Sequence, residues 1–310
     1  MRGMFRLLGI VVSIFFIVVF STLTVRFIKH NWFASKPATK GTSGNKTVAV
    51  IDLNGVIYSA NSFLKRVKEI KDDSNVKAVV VRVNSPGGIV APSQEMYEAL
   101  KKLDAKMPVV ISMGALAASG GYYASLGGRK IYANAGTMTA SIGVIMEFAN
   151  TSELYKWAKV ERYELTAGKM KGAGSDSRPM KPEERAWFEA MLTDIHGQFK
   201  AAVKERRKGM TPEEVEQWTD GRVMTGAQAK HAKLVDALGT YEDALTDAKK
   251  LAGLPDDAPV DLPESKEGFL KKLLLGDEEA ESMAPILDGV KAQMAGFQSG
   301  WRVMLLAPIR

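Results

Sequence analysis

The chain contains no cysteine, which removes thiol nucleophiles, thiolate metal sites and disulfides together. Histidine is nearly as scarce. His30, His196 and His231 are scattered, without HExxH or HxH spacing, which argues against a histidine-rich metal site. No metal and no cofactor is expected. Acidic residues are missing altogether from positions 1–46, which hold Arg2, Arg6, Arg26, Lys29, Lys36, Lys40 and Lys46. These are seven of 42 basic residues, so residues 47–310 carry 35 basic against 35 acidic side chains. The formal charge of +7 therefore belongs to a leader, and the body is neutral. That weakens the case for a phosphate-binding body, and no nucleic-acid partner is expected. What is present is an ordinary globular mix, 46% hydrophobic and 25% charged over 310 residues, enough for a real core and too apolar for wholesale disorder.

Long apolar runs are confined to one place. Leu7–Val25 is an uncharged stretch of 19 residues, about 28 Å as a helix and close to the hydrocarbon thickness of a bilayer. A cleavable signal peptide is the rival reading, but no A-x-A site precedes Arg26. The expectation is an uncleaved single-span anchor, followed over residues 34–47 by a small, polar, flexible tether. Basic residues flank both ends of the span, and counted literally they place the body on the cytoplasmic side.

From Thr47 onward, short apolar strands alternate with amphipathic helices. Strands are expected at Val48–Leu53, Val76–Val83, Val109–Ser112, Ile131–Ala133 and Ile142–Met146. Helices are expected at Asn61–Lys71, Ser93–Leu103, Pro182 to about Lys208, and Tyr241–Leu251. The long helix has an apolar seam of Trp187, Met191, Ile195, Phe199 and Val203. The pattern is that of an α/β fold with a largely parallel sheet. Residues 254–283 are polar and read as loosely ordered. Trp301–Arg310 is apolar again and fits either docking on the core or occupation of a substrate groove.

Two segments combine small residues with reactive ones. In Gly114–Tyr123, Ser119 stands among Ala and Gly at a strand-to-helix turn, where small neighbours let the backbone turn sharply and a substrate approach. The amide of Gly120 would then face developing negative charge. The same run also suits a helix packed tightly on the sheet. The second segment is Ser85-Pro86-Gly87-Gly88, a turn with freed amides but without the lysine of a phosphate loop. Adjacent parallel strands would carry both segments to one sheet edge, where ligands bind. Neither His196 nor His231 is placed as an obvious base. A lysine serves if desolvation lowers its pKa from about 10.4. The glycine-flanked loop Gly168–Gly174 offers Lys169 and Lys171, and it reads equally as solvated surface.

SPGG after a βα unit, AASGGYYAS, TASIGVIME, G-x-x-K and DGRVMTGAQAKHAKLVDALG, in this order, resemble the short form of bacterial signal peptide peptidase A over roughly Val48–Gly253. The resemblance implies a ClpP/crotonase-like core of repeated ββα units, with an N-terminal transmembrane helix. The division would be 1–46 anchor and tether (span about 7–25), 47–253 peptidase domain, and 254–310 polar linker and apolar tail. It implies a Ser–Lys dyad serine peptidase in which Ser119 is the nucleophile, Lys171 the general base and Ser141 the hydroxyl that orients the lysine. Gly88 and Gly120 would supply the oxyanion-hole amides, with Gly87 as the register alternative and Lys169 as the neighbouring lysine. Partners would be hydrophobic peptides such as released signal peptides, the lipid bilayer, and further copies of the chain in a homo-oligomer. The resemblance puts the body on the extracytoplasmic face of the inner membrane, opposite to the local charge count. Rival readings are a stomatin-associated type of membrane serine protease, a crotonase-like acyl-CoA enzyme, and a catalytically silent membrane scaffold.

Overall fold

The computed structural model describes residues 46–262 and the backbone of 304–306. The expected span at Leu7–Val25 lies outside the described residues, and no helix among the described residues is long and apolar enough to cross a membrane.

A mixed sheet forms the centre. Strand β1 (Thr47–Asn54) pairs in parallel with β2 (Val76–Ser85), and β2 in parallel with β4 (Val109–Ala118). Short β3 (Gly87–Ile89) leaves the end of β2. The near-continuous Val/Ile runs of β1, β2 and β4 are explained by burial on both faces, as in parallel sheets covered by helices. Strand β4 is longer than its apolar sequence suggests, because it continues through Gly114–Ala118. Its first half pairs with β5 (Lys130–Ala133) and its second half with β6 (Met138–Ala140), both parallel. Strand β7 (Val223–Thr225) adds antiparallel to β6, and β8 (Ala237–Leu238) adds parallel to β5.

Helix α1 (Asn61–Asp72) buries Phe63, Val67 and Ile70. Helix α2 (Val90–Asp104) starts three residues earlier than its apolar pattern indicates, with Pro92 in the first turn, where a missing N–H is harmless. The six-residue α3 (Gly120–Ser125) is wholly buried, and α4 (Ser152–Trp157) is not. The long α5 (Pro182–Arg206) buries only the C-terminal end of its seam. Phe199 and Val203 are inaccessible, whereas Trp187 is 62% exposed. Helices α6 (Pro212–Trp218) and α7 (Gly226–His231) follow, each opened by a reciprocal capping box, Thr211 with Glu214 and Thr225 with Gln228. Helix α8 (Tyr241–Leu251) covers the other face, where Ala244 and Ala248 meet Val48 and Val80.

Two expectations about elements are corrected. Ile142–Met146 is not a strand. Ala140 and Ser141 adopt φ of +63° and +52°, so the extended chain ends at Ala140, and Ile142 reaches the core from a turn. The polar stretch after Gly253 is also partly folded. Leu254 and Ala258 are buried, and β9 (Val260–Asp261) pairs in parallel with β1 at the sheet edge. Strand β10 (Met304–Leu306) lies antiparallel on β3, with Leu305 opposite Gly88.

Leu100 of α2 is fully buried in the larger core. Leu100→Ala is expected to cost about 2–5 kcal/mol of unfolding free energy in urea titration.

Candidate active site

The parallel pairing of β2 with β4 sets Ser85 beside Ala117, so the turns that follow both strands open at one edge. The Ser85 hydroxyl donates to the Gly55 carbonyl at 2.6 Å and accepts the Gly87 N–H at 3.1 Å. That hydrogen bond occupies the Gly87 amide. Gly87 needs its glycine for φ of +96°. Gly88 needs its own for a different reason, because a Cβ there would overlap the Ile57 carbonyl. Ile57 bridges this strand from one side, its N–H donating to Gly87 O at 2.8 Å and its carbonyl accepting from Ile89 N–H at 2.7 Å. The other side of β3 carries β10. Ile57 also lines a cavity of about 750 Å³, together with Leu53, Phe63 and Met96 and the charged Asp52 and Arg66.

Ser119 sits where β4 becomes α3, at φ 53° and ψ −118°. That is a left-handed conformation costing a non-glycine residue about 1–3 kcal/mol. Its residue surface is 0% accessible, and its Oγ has no hydrogen-bond partner. An unpaired buried hydroxyl adds a further penalty of about 1–3 kcal/mol. Two unfavourable terms on one small side chain are hard to explain by packing and are what a strained nucleophile elbow displays. The Ser119 N–H donates to Ala140 O at 2.8 Å, and its carbonyl accepts from Tyr123 N–H at 2.8 Å. Gly120 lies so close to β3 that a Cβ would stand 3.1 Å from Gly88 N and 2.5 Å from Ser93 Oγ. Ser119, Gly120 and Gly88 therefore converge, and the turn bearing Ser141 is tied to them through Ala140. Ser141 is 4% exposed, and its N–H donates to Arg222 O at 2.9 Å.

The lysine loop lies at the surface. Lys171 is exposed, and among the described residues its side chain makes no hydrogen bond or ion pair. Its N–H donates to Gly168 O at 3.1 Å. Because Ser119 Oγ has no hydrogen-bond partner among the described residues, neither Lys171 nor Ser141 hydrogen-bonds to it in the single chain. Lys169 is different, since its ammonium pairs with Glu183 at 2.8 Å and that carboxylate pushes its pKa up. The loop is pinned to the start of α5. Arg178 donates to Gly172 O at 2.8 Å and to both oxygens of Glu184 at 2.6 and 3.0 Å. The guanidinium holds the buried Glu184 carboxyl down at about 2. This clamp was not legible in the sequence, although the Arg-Pro then Glu-Glu spacing at a helix start is a capping signal.

A strained, buried serine beside converging glycine backbones at a sheet edge is an arrangement compatible with acyl transfer. Comparison with known proteins narrows this. The model for peptidase family S49 matches residues 101–255, and the chain belongs to that family. It is 39% identical over 246 residues to a putative protease of Synechocystis sp., covering 78% of this chain and 88% of the relative. It is 32% identical over 281 residues to the putative signal peptide peptidase SppA of Enterococcus faecium, covering 84% and 80% respectively. A chloroplastic serine protease, SPPA, of Arabidopsis thaliana is 30% identical over 287 residues, covering 87% of this chain and 42% of the relative. The chain is thus a serine peptidase of the SppA type.

Ser85→Ala deletes the acceptor of the Gly87 N–H and is expected to cost about 1–3 kcal/mol. Activity should fall with it because the Gly87–Gly88 turn loosens. Thermal unfolding and steady-state kinetics on the same preparation check both effects.

Proposed function

We propose that the chain is a membrane-anchored endopeptidase with a ClpP/crotonase-like core that cuts hydrophobic peptides, signal peptides among them, through a Ser119–Lys171 dyad. The observation that carries this reading is the unpaired, buried Oγ of Ser119 beside Gly88 and Gly120. The substrate class rests on the similarity to the putative signal peptide peptidase of Enterococcus faecium and on the backbone pairing of β10 with β3. That pairing supplies the geometry by which an extended peptide adds as an antiparallel strand. The apolar run Leu7–Val25 would anchor the body at the extracytoplasmic face of the inner membrane.

In this reaction Lys171 Nζ takes the Ser119 proton and Oγ attacks the peptide carbonyl carbon. The amides of Gly88 and Gly120 hold the oxyanion. The lysine then protonates the leaving amine and later deprotonates the water that releases the acid product. Gly88 is favoured over Gly87 because the Gly87 N–H is bound to Ser85 Oγ. Lys171 is favoured over Lys169 because Glu183 keeps Lys169 charged. Ser141 Oγ orients the lysine.

A lysine acts as a base only when lifted out of water, and the exposed Lys171 gains that environment from a second copy of the chain. The segment bearing it presents Ile145, Leu154, Trp157, Tyr163, Leu165 and Trp187 to solvent, with Tyr163 at 84% and Leu165 at 95%. An apolar surface of this kind marks an interface. The reading therefore has the Ser119 of one copy completed by the Lys171 of the next, in a closed homo-oligomer.

Ser119→Ala and Lys171→Ala are each expected to lower kcat/KM for a quenched hydrophobic peptide by about 10⁴-fold or more. Co-assembling the two inactive variants in equal amounts should restore about a quarter of wild-type activity if each site draws on two copies. Full activity in Ser119→Ala would overturn the reading, and no restoration on mixing would place both residues in one copy. Deleting residues 300–310 should lower KM with little change in kcat, because β10 occupies the edge a substrate strand would use. An unchanged KM would remove the tail from the site.

A further inference from the structure

The turn Ala140–Gly143 combines two successive left-handed non-glycine residues, each costing about 1–3 kcal/mol, with the carbonyl that receives the Ser119 N–H. Something must hold it. Ser141 N–H is bound by Arg222 O, and Gly143 lies against Gly221, where a Cβ would come within 3.1 Å of the Gly221 Cα. Among the described residues, one side chain alone hydrogen-bonds to residues 140–143, and it is His196. Its Nε2 stands 2.7 Å from Thr219 O and 3.1 Å from Ile142 O. Both partners are carbonyl oxygens, which only accept, so Nε2 carries the hydrogen and donates to the pair. His196 lies on α5 three residues before Phe199, hence on the same face. Phe199 packs against Tyr123 of α3 with ring centroids 4.4 Å apart. The same helix thus touches the helix that follows Ser119 and the turn that carries Ser141.

We propose that His196 is a positioning residue that holds the Ser141 turn in its left-handed conformation and thereby fixes the Ser141 hydroxyl. The inference rests on the Ser119–Lys171 reading, with Ser141 orienting the lysine. Loss of the Nε2 donor would let residues 140–141 relax toward extended backbone, displacing the Ser141 hydroxyl while leaving the peptide-binding edge of β3 in place. The effect therefore falls on kcat and not on KM.

The test uses the full chain in three forms, each also in a Ser141→Ala background. His196→Phe removes the donor at similar size, and His196→Gln retains an amide donor at similar reach. His196→Phe is expected to lower kcat by about 10- to 100-fold, as a displacement near 1 Å does, with KM within about twofold. His196→Gln should recover most of the loss. In the Ser141→Ala background the Phe substitution should cost no more than about twofold, because the residue it acts through is gone. Backbone hydrogen exchange at residues 141–143, a readout that needs no peptidase activity, should quicken about tenfold or more in His196→Phe and stay near wild type in His196→Gln. Unchanged exchange and kcat in His196→Phe would overturn the proposal. So would an equal loss of kcat with Ser141 present and absent. Faster exchange in an enzyme whose peptide cleavage survives Ser119→Ala would leave the clamp standing and sink the catalytic reading.

Discussion

The parallel pairing of β2 with β4 is the constraint on which the site depends. With Ser85 alongside Ala117, the chain leaves both strands at one edge and the two glycine-bearing turns meet. The pairing is possible because residues 79–81 and 109–111 are apolar on both faces and helices cover each side, while Arg82 donates to the Ser112 hydroxyl opposite it at 2.8 Å. Glycine then does what no other residue could: at Gly88 it lets β3 lie against the Ile57 backbone, and at Gly120 it lets the start of α3 approach β3. The unpaired hydroxyl of Ser119 and its left-handed backbone are unfavourable locally and are held by the dense packing around them. The fully buried α3 and the Ala140 hydrogen bond are the most direct restraints.

Helix α5 acts as the second organising element. Its first turn holds the lysine loop through Glu184 and Arg178, its middle reaches the Ser141 turn through His196, and its last turns pack Phe199 on Tyr123. Three parts of the proposed site are thereby referred to one helix. Its N-terminal half leaves Trp187 at the surface.

Much of this was legible in the sequence. Strands β1, β2, β5 and the first half of β4, helix α1, the extent of α5 and the convergence of Ser119 with the Ser85–Gly88 turn follow from apolar runs, periodicity and the placement of Gly and Ser, whereas the short strands β6 to β9 carry too few residues to show a pattern. Other features were hidden by physics that a linear pattern does not carry. The run from Ile142 looks like a strand because it is β-branched and apolar, but left-handed Ala140 and Ser141 turn the chain first. The seam of α5 looks wholly buried because periodicity reports an apolar face without saying what covers it. Helices α6 and α7 are short, and their signal lay in the T-x-x-E and T-x-x-Q caps rather than in periodicity. The clamp on the Ser141 turn was invisible because His196 meets a carbonyl 54 residues away in the chain.

The central claim is that Ser119 Oγ is a nucleophile, and covalent capture tests it most directly. The full-length protein, treated with a fluorophosphonate and digested, should yield a single mass adduct on the peptide containing Ser119. Labelling should cease in Lys171→Ala. An adduct on another serine, or labelling indifferent to Lys171, would contradict the account.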